Sequence, residues 1–278
     1  MTFDLVIVGG GRMGGALAAG LLSANWCEPQ RLAIVEQLAE TRQELSTLHP
    51  GVAVLASLEL EHVGPSTGAV LAVKPEQAEA VVRLLGACGV RRIMSVVAGL
   101  STDRLSAALP SGVPVIRAMP NTPVLVGHGV SAIAGGVTAS SDDLDWATSI
   151  LGAVGSVVRV TERHIDAVTG VSGCGPAFIY LVAESLIEAG VHQGLTRAMS
   201  RDLVVGTLAG AAEMLSVTGE SPEELRSQVT SPGGATAAGL RMLESRAVRA
   251  AFLEAVSASA ERSRQLGDRK STRLNSSH

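Results

Sequence analysis

The sequence predicts an α/β protein in two parts, with a doubly wound, mostly parallel sheet in the N-terminal part and an all-α C-terminal part. Three observations support this prediction. Short apolar runs alternate with helical segments up to about residue 160, which is typical of a parallel sheet covered by helices on both faces. A glycine-rich turn and a helix follow the first apolar run. Beyond residue 161 the strand signals stop and helical segments follow one another.

Each predicted strand is a short run rich in Val, Ile and Leu. The runs are Leu5–Val8, Leu32–Val35, Val52–Leu55, Ala69–Val73, Ile93–Val97, Val113–Arg117, Val130–Ala134 and Ser156–Val160. Helices are expected at Ala16–Leu22, after Glu36, at Gln77–Leu85 and from the Ser140 cap to about Val154. The C-terminal helices are expected at about Arg163–Val171, Pro176–Gly190, Thr196–Thr218, Pro222–Val229 and from Thr236 onward.

The first strand ends in a G-x-G-x-x-G turn, Gly9–Gly14, which indicates a dinucleotide site of the Rossmann type. In this motif Gly11 lets a pyrophosphate approach the backbone, and Gly14 lets the helix pack against the strand. The second strand ends at Glu36, where an acid binds the adenosine ribose hydroxyl. Glu36 therefore favours NAD, although Arg42 could shield the 2′-phosphate of NADP. The alternative is that Glu36 simply begins the surface helix that follows.

Composition excludes several other classes of function. The 278 residues are 46% hydrophobic and 17% charged, which indicates a folded protein long enough for two domains. A net charge of −4 with 2% aromatic residues argues against nucleic-acid binding. No apolar run is expected to be long enough to cross a membrane, and the N-terminus does not resemble a signal peptide. Three widely spaced cysteines favour a reduced, cytoplasmic setting without a metal site.

A second ligand site is expected in the C-terminal part, at the turn Val229–Thr236. Gly233 and Gly234 let the backbone approach a ligand, and the helix that follows begins with unpaired N–H groups. The helix dipole adds to these donors in attracting a carboxylate or a phosphate. The turn is therefore a candidate binding site for a small anionic substrate. The alternative is an ordinary loop-to-helix corner.

Lysine is scarce, which limits acid–base mechanisms. Lys74 and Lys270 are the only lysines, and His164 and Asp166 are two residues apart and would not share a helix face. β-Hydroxyacid dehydrogenases carry a lysine on the helix that follows a turn similar to Val171–Phe178, and this sequence has none there. A cyclic imine that is protonated at nitrogen brings its own proton. An enzyme that reduces such an imine therefore needs only to position it and to stabilise its charge.

Five stretches of the sequence resemble pyrroline-5-carboxylate reductases. They are Gly9–Gly14, Ala72–Pro75, Arg117–Pro123, Ser172–Phe178 and Leu225–Glu244. The third and the fifth together are the most specific, and the resemblance covers about residues 5–265. The family reduces 1-pyrroline-5-carboxylate to proline with NADPH or NADH, which is the last step of proline biosynthesis.

The resemblance implies a role for each matching position. Together with the glycine motif and Glu36, the residues expected to bind NADP(H) or NAD(H) are Val8, Gly9, Gly10, Gly11, Arg12, Met13, Gly14, Glu36, Ala72, Val73, Lys74, Pro75, Val97, Ala98, Gly99, Met119 and Asn121. The residues expected to bind the substrate are Gly233, Gly234, Ala235 and Thr236, and the candidate catalytic residues are Thr236 and Ser231. Family members form dimers with shared active sites, and often rings of dimers. This agrees with the apolar segment Val204–Leu215, which we expect to be buried on all sides only in an oligomer.

Two positions depart from the family's pattern. Cys174 stands where a serine is expected, either as a small residue or as a thiol that oxidation could block. Glu36 fits poorly with a strict preference for NADPH. Two alternatives are a related imine or hydroxyacid reductase on the same scaffold and a non-catalytic, dinucleotide-binding regulator.

The predicted domains are residues 1–160 for dinucleotide binding and residues 161–267 for substrate binding and dimerisation. Residues 268–278 are expected to be a non-native tail. They lack apolar periodicity, follow a plausible helix stop at Gly267 and match a translated sequencing adapter.

Overall fold

The strands of the N-terminal part are buried on both faces of a central sheet. The structure is a computed structural model that describes residues 2–275, and the side chains of residues 2–267. In the first strand Leu5 and Ile7 pack into one apolar layer, whereas Val6 and Val8 pack into the other. Successive strand residues point to opposite faces, so a strand that is apolar at every position requires a packed layer on each side.

The sheet has the predicted doubly wound architecture. Its strands are β1 (Phe3–Val8), β2 (Leu32–Val35), β3 (Ala53–Leu55), β4 (Val63–Leu71), β5 (Arg92–Ser95), β6 (Val115–Met119), β7 (Gly129–Gly135) and β8 (Gly155–Arg159). Within residues 2–275 their order is β3-β2-β1-β4-β5-β6-β7-β8. The pairs from β1 to β6 are parallel, β7 is antiparallel to β6, and β8 is parallel to β7. The direction of winding reverses between β1 and β4, which is where such sheets bind ligands.

Helices cover both faces of this sheet. They are α1 (Arg12–Ser23), α2 (Ala39–Leu48), α3 (Ala78–Ala87), α4 (Thr102–Ser106) and α5 (Ser141–Gly152). Leu17 of α1 and Ile150 of α5 pack on one face, whereas Val82 of α3 and Leu105 of α4 pack on the other. The apolar pattern does not predict α4, because a five-residue helix is too short to show an apolar period.

After β8 the described residues are helical, as predicted. The elements are α6 (Ile165–Val168), a π-helical turn at Thr169–Gly173, α7 (Gly175–His192), α8 (Arg197–Val217), α9 (Pro222–Gln228), α10 (Ala235–Ser245) and α11 (Val248–Asn275). A capping box starts α9, because the Glu224 N–H donates to Ser221 Oγ (3.2 Å) and the Ser221 N–H donates to Glu224 Oε2 (2.7 Å). The helical region expected from Thr236 onward consists of two helices, which meet at Ala247 with a φ of 55°.

The chain forms two compact units. The first runs to Cys174 and continues from Ala258, and the second is Gly175–Ser257. In the first unit Ile165 packs against Ala132 and Ala134 of β7. These contacts attach α6 to the sheet, although the strand signals end near residue 160. The division of function at residue 160 stays a prediction.

The expected helix stop at Gly267 is wrong, because α11 continues through this residue to Asn275. One glycine in a helix interior costs only about 1 kcal/mol, which does not end a long helix. Gly99, at the turn after β5, approaches the helix here, and a β-carbon on it would lie 3.4 Å from the Gly267 nitrogen. The non-native origin of residues 268–278 stays a prediction, and residues 276–278 lie outside the described residues.

The expectation that no apolar run is long enough to cross a membrane is also wrong. Among the described residues, the helical stretch Glu162–His192 meets the length and hydropathy criteria, with a mean hydropathy of 1.4 over 18 residues. Gly170, Gly173 and Gly175 interrupt the apolar run in the sequence, and the helical stretch is interrupted only by a bend at Cys174. A helix that packs against other protein meets the same criteria, so these two properties alone do not indicate a membrane.

Asp143 connects the N-terminus of α5 to the sheet. Its Oδ2 accepts hydrogen bonds from the Ser140 N–H (2.9 Å) and hydroxyl (2.7 Å), and its Oδ1 lies 3.1 Å from Arg92 Nη1. The side chain is buried, which opposes ionisation. The Ser140 hydrogen bonds and the charge of Arg92 nevertheless lower the pKa of Asp143.

We expect Asp143→Asn to lower the free energy of unfolding at pH 7 by about 1–3 kcal/mol, because a buried cap loses charge-assisted hydrogen bonds. A lowered carboxyl pKa stabilises the fold above the unfolded-state pKa near ~4, and this stabilisation is lost as the pH falls through the folded-state pKa. The difference between variant and wild type should therefore shrink below about pH 4. Urea unfolding between acidic and neutral pH measures it. Asp145→Asn, at an exposed position of α5, is the control, and a cost that is independent of pH would contradict the prediction.

Candidate functional site

A cleft of about 460 Å³ opens at the carboxyl ends of β1, β2 and β4. Predicted cofactor residues form part of its lining, namely Val8, Gly9, Gly11, Glu36, Ala72, Val73 and Lys74. The other lining residues are not among the predicted cofactor residues; they are Val35, Gln37, Leu38, Thr41, Ala56, Ser57, Leu58, Gln77, Val81, Leu84 and Leu85. Ala56 and Ser57 directly follow β3, so the rule that ligands lie at the carboxyl edge would have found them.

The floor of the cleft is shaped by glycines. Gly9 has a φ of 103°, and a β-carbon there would lie 2.5 Å from the carbonyl oxygen of Ala72. A β-carbon on Gly14 would lie 1.9 Å from the Gly9 oxygen, so α1 can start this close to β1 only with glycine. A β-carbon on Gly11, by contrast, would meet no described atom within 4 Å.

This geometry fits a dinucleotide. The backbone at Gly11 is open to a large group, and no described side chain caps α1 at this residue. The N–H groups of the first helical turn are therefore available to an anion such as a pyrophosphate, and the helix dipole favours its negative charge.

Glu36 lies beside the glycine turn, as predicted. Its Oε2 accepts a hydrogen bond from the Gly10 N–H (2.9 Å), and its Oε1 accepts one from the Leu38 N–H (2.9 Å). An ionised carboxylate accepts about four hydrogen bonds, so both oxygens can still receive ribose hydroxyls. The alternative that Glu36 begins the next helix is wrong, because α2 begins at Ala39.

The remaining predicted cofactor residues do not all present side chains to the cleft. Arg12 is exposed at the first position of α1, Met13 packs against the core, and Pro75 follows the lining residue Lys74. Val97 is buried in the core, and the exposed Ala98 and the half-buried Gly99 follow it. At this edge Val97 can therefore reach a ligand only through its backbone.

Asn121 and Met119 join two of the family-like stretches. Asn121 Nδ2 donates to the carbonyl oxygen of Ser172 (3.1 Å), and its Oδ1 accepts from the Val130 N–H (2.9 Å). A β-carbon on Gly173 would lie 2.9 Å from Met119 Cε. The Asn121 side chain is buried and bonded at both ends, so it positions the π-helical turn Thr169–Gly173. Such turns are frequent at functional sites.

The candidate substrate turn lies in the second unit. Gly233 has a φ of 72°, which favours glycine, and a β-carbon on Gly234 would lie 2.4 Å from Ser231 Oγ, so a larger residue there would have to displace the Ser231 hydroxyl. No described side chain caps α10 at Gly234, and the first turn of the helix contains no acid. The N–H groups of Ala235 and Thr236 therefore begin a helix whose dipole favours an anion. Ser231 and Thr236 are exposed in the single chain.

The described residues contain no group of three or more His, Cys, Asp or Glu that could hold a metal ion. Cys174 follows the π-helical turn, and its N–H donates to the carbonyl oxygen of Thr169 (2.8 Å). Its thiol is partly buried.

The glycine turn, the acid after β2 and the cleft at the switch point define a nicotinamide-dinucleotide-dependent oxidoreductase. Comparison with known families agrees, because residues 4–99 match the family "NADP oxidoreductase coenzyme F420-dependent". Residues 162–266 match the family "Pyrroline-5-carboxylate reductase dimerisation". The chain belongs to the pyrroline-5-carboxylate reductase family.

Individual relatives cover nearly the whole chain. A pyrroline-5-carboxylate reductase from Corynebacterium melassecola is 39% identical over 269 residues, which are 95% of this chain and 98% of the relative. The structure of such a reductase from Coxiella burnetii is 31% identical with a TM-score of 0.88, over 96% of this chain and 99% of that one. The Plasmodium falciparum enzyme, whose structure contains NADP, is 32% identical with a TM-score of 0.82, over 95% and 98% of the two chains.

The dimerisation match explains the exposed apolar surface of the second unit. Tyr180 of α7 and Leu203, Val205 and Leu215 of α8 are between 48% and 60% exposed in the single chain. Self-association of this domain would cover such side chains, as the sequence predicts for α8. The apolar stretch Glu162–His192 lies within the matched region, and self-association would also cover its exposed apolar side chains.

We expect Gly11→Ala to weaken dinucleotide binding at least tenfold while it lowers the free energy of unfolding by about 1 kcal/mol or less. The added methyl group would meet only the ligand, since it has no protein neighbour within 4 Å. Fluorescence titration with the reduced dinucleotide and thermal unfolding measure the two effects. Gly15→Ala, whose β-carbon would make ordinary contacts, is the control. Unchanged affinity of the Gly11 variant would place the pyrophosphate elsewhere.

Proposed function

We propose that the chain reduces 1-pyrroline-5-carboxylate to L-proline with NADPH or NADH, the last step of proline biosynthesis. The supporting observation is the pairing, in one chain, of a dinucleotide-shaped cleft with the uncapped helix start at Gly234. The relatives named above carry the same activity in their names.

A bound dinucleotide would supply a hydride to the iminium carbon, and the imine protonated at nitrogen would become the amine directly. The chain therefore needs no residue that donates a proton, in agreement with the scarcity of lysine. Its work is to hold the substrate in one orientation and to balance its carboxylate charge.

Each group of residues has one task in this proposal. Gly9–Gly14 and the start of α1 hold the pyrophosphate, Glu36 holds the ribose, and Ala72–Pro75 with Val97–Gly99 complete the dinucleotide site. The N–H groups of Ala235 and Thr236 hold the substrate carboxylate. The Thr236 and Ser231 hydroxyls orient the ring, with Gly233 and Gly234 giving it room.

The assay for this function follows the oxidation of NADH or NADPH in the presence of 1-pyrroline-5-carboxylate. Formation of proline in equal amount to the dinucleotide consumed is the expected result. Absence of turnover with both dinucleotides, in a preparation that still binds them, would favour the non-catalytic regulator.

We expect Thr236→Ala to raise KM for the pyrroline substrate about 10–100-fold, with a much smaller change in KM for the dinucleotide. This substitution keeps the backbone N–H and removes only the hydroxyl that orients the protonated ring, and a lost hydrogen bond to a charged group is worth about 1.5–3 kcal/mol. Thr230→Ala is the matched control, because Thr230 Oγ1 already donates to the carbonyl oxygen of Arg226 (2.6 Å). Equal changes in the two variants would remove Thr236 from the substrate site.

We also infer that the chain is a cytoplasmic protein that forms a dimer and then a ring of dimers.

We expect sedimentation analysis to give a mass that is an even multiple of 28.4 kDa. Leu203→Glu should reduce that mass, because Leu203 is 58% exposed on α8 and an interface disfavours an unpaired charge. Glu213→Gln, a polar substitution on the same helix, is the control. A monomeric wild-type chain would contradict this inference.

A further inference from the structure

We propose that this chain selects NADH over NADPH, with Glu36 as the residue that determines the choice. The proposal rests on the proposed function in one respect only, namely that a nicotinamide dinucleotide binds in the cleft at β1, β2 and β4. It goes beyond the family membership, since the family uses both dinucleotides and the matched N-terminal family is named for NADP.

The Glu36 carboxylate is held in place by hydrogen bonds from the backbone. Both of its oxygens accept backbone N–H groups, one from Gly10 and one from Leu38, each at 2.9 Å. Gly10 lies against α2, since a β-carbon there would lie 2.4 Å from Cδ1 of Leu45. If the carboxylate turned away, it would leave a partly buried N–H group of the glycine turn without its acceptor, which costs free energy.

A ribose hydroxyl and a phosphate interact with this carboxylate in opposite ways. An ionised carboxylate only accepts hydrogen bonds, and a ribose hydroxyl can donate one. A phosphate monoester offers only acceptor oxygens and carries about −1.5 to −2 charges at pH 7. A 2′-phosphate near Glu36 would therefore gain no hydrogen bond from it and would be repelled.

Arg42, a cation beside the loop after β2, already donates hydrogen bonds to the backbone. Arg42 Nη1 donates to the carbonyl oxygens of Glu36 (3.0 Å) and Gln37 (2.6 Å). In that position Arg42 supports the loop after β2. If it turned to a phosphate, both hydrogen bonds would break. Both N–H groups of Nη1 are used in this way, so Arg42 could offer a phosphate only Nε and Nη2 while the loop keeps its position.

Among the described residues, the rest of the cleft lining supplies no cation beside Glu36. Among the described lining residues, the charged side chains are those of Glu36 and Lys74. Lys74 follows β4, which lies on the other side of β1 from β2. With strands about 4.8 Å apart, the ends of β2 and β4 are separated by about 10 Å. Thr41 and Ser57 supply neutral hydroxyls, which do not offset the charge of a phosphate.

The test measures binding directly. NADH and NADPH are titrated separately into the full-length chain, and the dissociation constant of each is obtained from nucleotide fluorescence or calorimetry. The expected result is that NADH binds at least tenfold more tightly than NADPH. Equal affinities, or tighter binding of NADPH, would overturn the proposal without any variant.

Three variants then assign the preference to a residue. Glu36→Gln should lower the ratio of the NADPH to the NADH dissociation constant at least fivefold, and Glu40→Gln, an exposed position on α2, should leave this ratio unchanged. Arg42→Gln should also leave the ratio unchanged. A tenfold loss of NADPH affinity alone in the Arg42 variant would show that Arg42 receives the phosphate, and would overturn the proposal. Thermal unfolding of each variant without ligand identifies losses that come from the fold.

Failure of this proposal is distinguishable from failure of the proposed function. Tight binding of NADH without turnover of 1-pyrroline-5-carboxylate would contradict only the proposed function. Turnover that runs equally well with NADPH, together with equal dissociation constants, would contradict only the selection by Glu36.

Discussion

The close contact between the backbone after β1 and the backbone after β4 is the constraint on which the dinucleotide cleft depends. The Gly9 N–H donates to the Val35 oxygen (2.8 Å), and the Ala72 N–H donates to the Val8 oxygen (2.8 Å), so the parallel ladders continue to the last residue of each strand. At that point the chain has to turn in a space without room for a β-carbon. The turn directs α1 to one face of the sheet and presents the Gly10 N–H to Glu36. Packing and recognition therefore share one stretch of backbone.

A second framework holds the family-specific turns in the first unit. Arg117 of β6 is buried, and its guanidinium lies 3.4 Å from Glu162 and 3.8 Å from Asp166. The Thr102 N–H donates to Glu162 (2.8 Å), and Ser263 Oγ donates to Asp166 (2.6 Å). A buried charge requires such partners. Here the partners of Arg117 are Glu162, which precedes α6, and Asp166 of α6. These two carboxylates in turn accept hydrogen bonds from the start of α4 and from α11, so they connect both helices to β6.

Apolar runs revealed all of the strands, since a buried parallel strand needs an apolar residue at nearly every position. Their ends were less certain: β4 stops at Leu71, two residues before the expected end at Val73, because those last residues already belong to the ligand turn. The glycine motif and Glu36 could be predicted because their roles depend on local backbone geometry. The positioning role of Asn121 could not, because it depends on Ser172 and Val130, which are distant or unremarkable in the sequence. The π-helical turn lacked a local signal for the same reason, whereas Ala56 and Ser57 could have been found from their place directly after β3.

The second unit is one contiguous piece of chain, Gly175–Ser257, inserted between two pieces of the first. Recombination between related genes could therefore exchange this piece with two crossovers and leave every strand of the sheet with its own partners. A single crossover near residue 160 would instead combine Arg117 from one parent with Asp166 and Ser263 from the other. The topology thus separates the unit that contains the dinucleotide cleft from a contiguous segment that recombination could exchange as a whole.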